Sequence, residues 1–425
     1  MSRPAASILL TGNELLRGVI ADQNGSHLAA ALERLGFSVR RTLVVGDDLE
    51  DIRAGLRLLL ESADLVVTSG GLGPTHDDRT VEALAQVAGV ELQLDTDVLA
   101  RIDRWTDQAA VRYGLDRDRF DAGNRKQAQI PAGAEVLGIA GTAPGLVMTI
   151  GEARVVVLPG VPSELRRLWA MAPDHPSLGP LFARAEPRQR WLIRTYGIGE
   201  SHVADLFAAA GGDPPGVETG ICARNFEIEI DIRAEADAAT PAATLAERIT
   251  AGLGEFVFAT DERPLPEIVL DLLRARGWTA ATAESCTGGM VATRLTDVAG
   301  SSEAFVGGVV TYSDELKQGI LGVPADLLAR HGAVSPEAAQ AMATGARERL
   351  GADVAVSVTG IAGPGGGSAE KPVGLVYLHV SSPAGEDERR MDVPGGRDIV
   401  RARAATAALQ MLRAHVVAAS AHVRP

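Results

Sequence analysis

Lysine is almost missing from this 425-residue chain: among its 41 basic residues only Lys126, Lys317 and Lys371 are lysines, and the rest are arginines. Arginine stays protonated in a protein, whereas a desolvated lysine can lose its proton and act as a base. Each surviving lysine is therefore either a chance survivor at a neutral surface position or a place where a removable proton matters. Cysteine is equally scarce, and Cys222 and Cys286 lie too far apart for a CxxC pair, which excludes a thiol zinc cluster and a disulfide framework. Aromatic residues make up only 4%, so the core is expected to consist of Ala, Val, Leu and Ile. No run of about 18 apolar residues occurs, which excludes an ordinary membrane-spanning helix. The opening "MSRPAASILLTGNELL" does not follow the charged-then-apolar pattern of a secretory signal, so the expected location is the cytoplasm, with no membrane partner. Positive charge is also in deficit, at a formal net charge of -14, and long-range electrostatics opposes non-specific contact with a phosphodiester backbone.

What is present is an ordinary globular composition, 46% apolar and 23% charged. At roughly 150 residues per domain the length suggests about three domains. Residues 5 to 170 alternate strand-like runs ("ASILLT", "FSVRRTLVV", "DLVVTSGG", "GLVMTI", "RVVVLPG") with helical spacing, the signature of a doubly wound, mainly parallel α/β domain assigned to 1–171. The Pro-rich stretch "MAPDHPSLGP" marks its end. Residues 190–262, with the alternating strand "NFEIEIDIRAE", read as a small α+β module. From 265 to 416 strands such as "WTAATAES", "FVGGVVTYS", "DVAVSVTG" and "VGLVYLHV" alternate with helices again. The expected fold class is thus α/β: two α/β sandwich domains joined by a small α+β module, without internal repeats.

In the first domain "VVTSGGLGPTHDDRT" puts a glycine turn between a strand and a helix start, where the backbone can approach a phosphate closely. A plain tight turn capped by Asp77 and Asp78 is the alternative. Asp47, Asp48, Asp77 and Asp78 carry the oxygen donors that a divalent cation prefers. "TSGGLGPTHDDRT", "NRKQAQIPAGAEVL", "GTAPGL" and "LPGVPSEL", in this order, resemble the molybdopterin-binding (MoaB/MogA-like) domain at the start of CinA proteins. The resemblance implies a pterin- or nucleotide-binding site using Asn13, Glu14, Gly70, Gly71, Gly73, Asp78, Asn124, Lys126 and Gly160. It also implies a metal-dependent ADP-ribose pyrophosphatase activity that takes a divalent metal, with potassium as a further candidate cation. One departure is Asn13 in "GNELL", where the family has threonine.

The middle module resembles the KH-type module of full-length CinA proteins, yet it offers "GIGE" and "GGDPPG" and no GxxG loop among basic residues. A KH domain clamps RNA through such a loop. A spacer or dimerisation role is therefore expected in place of direct nucleic-acid binding.

In the last domain "TAESCTGGM" ends a strand with Ser285 at the elbow before a helix, where loop N–H groups could hold an oxyanion. A helix-capping serine is the alternative. No histidine has a triad context, but Lys317 follows the strand "VGGVVTYS", and adjacent parallel strands bring their C-terminal ends to one edge. A partly buried lysine there would activate Ser285 in the Ser-Lys variant of nucleophilic catalysis. Cys286, next in line, is expected to point into the core. The loop "IAGPGGGSAEKPVG" could cradle a phosphate with Lys371 or be a flexible surface loop, and Arg401 could hold an anion or lie on a solvated helix face.

"AESCTGG", "GGVVTYSDELKQGILGV", "HGAVSPEAA" and "VTGIAGPGGGSAEKPVG" resemble the CinA C-terminal domain, whose activity is nicotinamide mononucleotide deamidation without a cofactor. The resemblance implies Ser285 and Lys317 as the catalytic pair. It implies a substrate site formed by Glu284, Thr287, Gly288, Gly289, Tyr312, Thr359, Gly360, Lys371 and Arg401, with the oxyanion held near Gly288. A homodimer is expected. The competing reading is a non-enzymatic competence or DNA-damage accessory acting through a protein partner such as RecA.

Overall fold

The computed structural model describes residues 3–421, which form two compact units, Met1–Gln189 and Arg190–Pro425. Among the described residues no helix is long and apolar enough to cross a membrane.

The first unit is built on a six-stranded sheet. Its elements in chain order are β1 (Ala5–Thr11), α1 (Asn24–Arg34), β2 (Ser38–Val45), α2 (Leu49–Leu60), β3 (Leu65–Ser69), α3 (Thr80–Ala88), α4 (Thr96–Tyr113), β4 (Glu135–Ala140), β5 (Ala143–Ile150), β6 (Ala153–Leu158) and α5 (Pro162–Trp169). The strand order is β2-β1-β3-β6-β5-β4, parallel through β6 and antiparallel beyond it. Its two faces bury separate aliphatic cores, one around Ile8, Leu28 and Leu165 and the other around Leu9, Leu56 and Leu84. The chain leaves β1 toward one side and returns to β3 on the other, so the C-terminal ends of β1 and β3 open at a switch point where a crevice forms. The core of this unit continues past the expected domain end at 171: Ala172, Leu178 and Leu181 are buried in it, and Arg188 pairs with Glu33 at 3.1 Å. Apolar burial carries the chain on through the Pro-rich stretch to Gln189.

The second unit holds both the middle module and the last domain. The module comprises β7 (Gln189–Thr195), α6 (Glu200–Ala209), β8 (Val217–Arg224), β9 (Glu227–Ala234), α7 (Ala239–Leu253) and β10 (Val257–Ala259), in sheet order β8-β9-β7-β10. Along β9 the residues Ile228, Ile230 and Ile232 are buried on one face, as strict alternation predicts. The last domain continues with α8 (Leu265–Arg276), β11 (Ala280–Glu284), α9 (Met290–Thr296), β12 (Phe305–Val310), α10 (Asp314–Leu321), α11 (Pro336–Leu350), β13 (Val354–Gly360), β14 (Leu375–Ser382), β15 (Gly385–Asp392) and α12 (Arg397–Ala421).

Its sheet runs β12-β11-β13-β14-β15, with β11 parallel to both of its neighbours. Strand β15, "GEDERRMD", is charged and exposed, and its lack of apolar alternation hides it from sequence reading. A charged edge strand discourages pairing with another chain. Ser382 Oγ lies 2.7 Å from His415 Nε2, and His415 Nδ1 lies 2.5 Å from Asp387, a hydrogen-bonded latch between the β14–β15 hairpin and α12. The serine oxygen also accepts the Ala384 N–H at 3.1 Å, so it closes the hairpin turn.

Candidate active site and candidate ligand cleft

Strand β11 lies between β12 and β13, and Ser285 leaves its end with the N–H still bonded to Val358 O at 2.9 Å. The loop then turns through Gly288 and Gly289, whose φ angles of 60° and 93° lie in the left-handed region that glycine adopts without strain. Helix α9 follows at Met290. From the neighbouring strand β12 the chain enters α10 through Ser313, whose hydroxyl accepts the Leu316 N–H. One turn into α10, Lys317 points back into the sheet edge.

The Lys317 side chain is only 1% exposed, and its Nζ stands 3.5 Å from Ser285 Oγ. It donates to the carbonyls of Thr311 (2.9 Å), Tyr312 (3.4 Å) and Ser313 (3.5 Å), while Asp314 lies 3.9 Å away. Burial pushes its pKa below the ordinary lysine value, against the opposing pull of Asp314. The Cys286 thiol is buried and pushed up to about 11 by that burial, so it stays protonated at neutral pH.

Several expected substrate contacts are corrected. Glu284 is buried, and its carboxylate accepts the N–H groups of Gly289 (3.0 Å), Val291 (3.1 Å) and Ala292 (2.9 Å), so it caps α9 and does not face a substrate. The Gly288 N–H is donated to Ser285 O at 3.0 Å. Both glycine N–H groups near the expected oxyanion position are thus already engaged, that of Gly289 by Glu284 and that of Gly288 by Ser285 O. The Thr287 side chain is fully buried. Thr359 is likewise buried and donates to Ala333 O at 2.7 Å.

Gly360 is needed for packing, since a Cβ there would meet Leu375 O at 2.7 Å. Lys371 Nζ donates to His331 O at 2.7 Å, tethering its loop. Arg401 is half-buried and holds the loop after Ser285: Nε donates to Cys286 O (3.1 Å) and Nη2 to Thr287 O (2.9 Å). Tyr312 is 56% exposed, and its hydroxyl accepts from Arg397 Nη2 at 2.7 Å, while Nη1 of the same arginine donates to Gly363 O at 2.9 Å. Sequence reading passed over Arg397. Its i, i+4 spacing to Arg401, which puts both on one helix face, is the signal that points to it.

In the first unit the expected glycine loop does line a cleft of about 390 Å³, where Glu14, Asp47, Asp77 and Asp78 face Gly70, Gly71, Gly73 and Gly160. Asp78 accepts from Thr75 N (2.9 Å) and Thr75 Oγ1 (2.6 Å), and Thr75 Oγ1 also bonds Asp77. Burial raises the pKa of Asp47 despite the hydrogen bond from Asn13 N–H, and Glu14, Asp77 and Asp78 add to the rise. Lys126 donates to Thr75 O, which pins the loop from outside.

Asn124 is corrected: it is buried and donates to Asp103 (2.8 Å) and Thr106 (2.9 Å), so it is part of the scaffold. Of the four aspartates expected to hold a metal, Asp47, Asp77 and Asp78 line this cleft and Asp48 stands at the start of α2. Asp48 is the N-cap of α2, accepting from Glu50 N (2.9 Å) and Asp51 N (3.4 Å). Among the described residues no group of three or more His, Cys, Asp and Glu side chains is arranged to hold a metal ion. Asn24, missed in the sequence, bridges Ser69 Oγ (3.0 Å) and Gly160 O (2.7 Å) beside a second hollow of about 420 Å³.

Gly73 offers a direct test of the cleft, because a Cβ there would sit 2.4 Å from Asp78 Oδ2. Gly73→Ala is expected to displace Asp78 and weaken nucleotide or pterin binding about tenfold, roughly 1.4 kcal/mol. Calorimetric titration checks this, with an unchanged melting temperature as the control.

Residues 7–173 match the family model described as a probable molybdopterin binding domain, and residues 262–416 match that of the CinA C-terminal domain. A CinA-like protein of Mycolicibacterium paratuberculosis is 43% identical over 425 residues, covering 96% of this chain and 97% of that protein. A CinA-like protein of Mycobacterium sp. (strain MCS) is 45% identical over 415 residues, covering 96% and 98%. Among solved structures, the competence/damage inducible protein CihA from Agrobacterium tumefaciens is 41% identical, with a TM-score of 0.35, covering 38% of this chain and 99% of that one.

Proposed function

Because the chain belongs to the CinA family, we propose that its last domain is a nicotinamide mononucleotide deamidase of the Ser-Lys type. The observation that carries this reading is the buried Lys317 Nζ at 3.5 Å from Ser285 Oγ. Neutral Lys317 takes the hydroxyl proton as Ser285 attacks the carboxamide carbon, and the resulting ammonium returns the proton to the leaving nitrogen. Ammonia departs and a nicotinoyl ester on Ser285 remains. Water, activated by Lys317 in turn, cleaves that ester to give nicotinate mononucleotide and regenerates the serine. The ammonium formed during attack also lies beside the developing oxyanion, a favourable charge in a site with little water. No metal or cofactor takes part in these steps.

Ammonia release from a panel of nicotinamide mononucleotide, its riboside, free nicotinamide and the dinucleotide tests the proposal. The mononucleotide is expected to react at least tenfold faster than the others, and the absence of release between pH 6 and pH 10 would refute it.

For the first domain, the cleft of about 390 Å³ has the size of a small-molecule site and supports binding of a nucleotide or pterin. Cleavage of ADP-ribose is a further step, because carboxylates repel a diphosphate unless a cation joins them. Asp47, Asp77 and Asp78 face this cleft, while Asp48 Oδ1 caps its helix.

A further inference from the structure

Helix α9, which follows Ser285, carries Arg294 on the side away from the nucleophile loop. Its Nη1 donates to Thr406 Oγ1 at 2.8 Å and its Nη2 to Ala402 O at 3.4 Å, both on α12. The Thr406 hydroxyl in turn lies 3.2 Å from two acceptors, Asn225 O at the tip of the β8–β9 hairpin of the middle module and Ala402 O on its own helix. That tip is strained: Asn225 and Phe226 have φ values of 53° and 66°. Asparagine tolerates the left-handed region, but for phenylalanine it is costly and persists only where surrounding contacts hold it. The two-residue turn between Arg224 and Glu227 requires both values, and the Arg403 guanidinium of α12 lies 5.7 Å from the Phe226 ring centre.

The next residue, Glu227, is 3% exposed and accepts from Arg194 (2.8 Å) and from Gln410 of α12 (3.0 Å). Arg294 feels the attraction of two carboxylates, Glu227 in the module and Glu284, the cap of α9 that immediately precedes Ser285. Helix α12 also holds the carbonyls of Cys286 and Thr287 through Arg401. Thus the module's hairpin, α12, α9 and the nucleophile loop form one hydrogen-bonded series, and every link in it has a named donor and acceptor.

We propose that Arg294 is a positioning residue through which the middle module sets the Ser285–Lys317 geometry, making the module a fixed part of the amidase site and not a spacer. The inference rests on the deamidase reading for its kinetic expression. A small displacement of a nucleophile relative to its base costs rate with little effect on substrate affinity.

The test uses the full-length protein with Thr406→Val, which keeps shape and removes the bridging hydroxyl, and with Arg294→Gln and Arg294→Lys. Thr406→Val and Arg294→Gln are expected to lower kcat for ammonia release roughly 3- to 30-fold with KM nearly unchanged. Amide hydrogen exchange should quicken in residues 285–296, and Arg294→Lys should recover part of kcat. Wild-type kcat and wild-type exchange in both variants would overturn the proposal, as would losses that merely follow the fraction unfolded. If the wild type releases no ammonia, the deamidase reading falls by itself. The coupling is then decided by exchange alone: faster exchange in 285–296 supports it and unchanged exchange overturns it.

Discussion

Lys317→Met is expected to abolish ammonia release, by roughly a thousandfold or more, and to remove the pH dependence that Lys317 gives to stability. The first effect follows from removing the only base 3.5 Å from Ser285 Oγ. Lys317→Arg should be as inactive, since a guanidinium keeps the charge and cannot accept the proton. Its larger fork strains a slot where the lysine is 1% exposed, so the methionine variant is the cleaner probe.

The second effect follows from burial. Taking the ammonium out of water disfavours the charged form and lowers the lysine pKa in the folded state below its ordinary 10.5. Below the folded pKa the cost of the buried charge is present in full, and it is relieved as pH rises toward the unfolded value. Wild type therefore gains stability relative to Lys317→Met as pH rises through that window. At neutral pH the relief of the buried charge in the variant is offset by about 1 kcal/mol for each of the Thr311, Tyr312 and Ser313 carbonyls that loses its donor. Wild-type kcat/KM should rise with pH as Lys317 loses its proton, with the midpoint below 10.5. Retention of more than a tenth of the activity in Lys317→Met would sink the mechanism.

The other large effect belongs to Glu284. Replacing it with alanine strips the acceptor from three N–H groups at the start of α9, in a buried place where water cannot replace it. The cost is about 3 kcal/mol, which lowers the melting temperature of the Arg190–Pro425 unit by roughly 6–12 °C. Glu284→Gln keeps one acceptor oxygen but turns an NH2 group toward a donor, so it should lie between wild type and alanine. Calorimetry measures both. The accompanying loss should appear in kcat, because the carboxylate orients the Ser285 loop without touching substrate. A large rise in KM at unchanged stability would restore the substrate role expected from the sequence.

The contrast between these two neighbours shows what a sequence can disclose. Ser285 and Lys317 were legible because strand ends in a parallel sheet gather at one edge, and because a retained lysine stands out among arginines. Glu284, Thr359 and Asn124 were expected at ligand sites only because the family resemblance implied it. In the folded protein their polar atoms are committed to backbone or scaffold partners. Asp48 likewise sits among acidic residues in the sequence but is used as a helix cap. Arg397 and Asn24 were missed for the opposite reason: their partners, Tyr312 and Gly160, lie 85 and 136 residues away. Strand β15 escaped because an exposed edge strand carries no burial pattern to read.

The sequence by itself disclosed the α/β class, the meeting of Ser285 and Lys317 at one sheet edge, and the glycine loop of the first domain. These follow from local periodicity, turn chemistry and the scarcity of lysine, each of which is written along the chain. Only the tertiary structure decided that the glycine N–H groups beside Ser285 are already engaged, that Asp48 caps a helix, and that the middle module is joined to the last domain through α12. The physical reason is that a polar group has few hydrogen-bonding directions. Which partner takes them depends on residues distant in sequence that folding brings within about 3 Å.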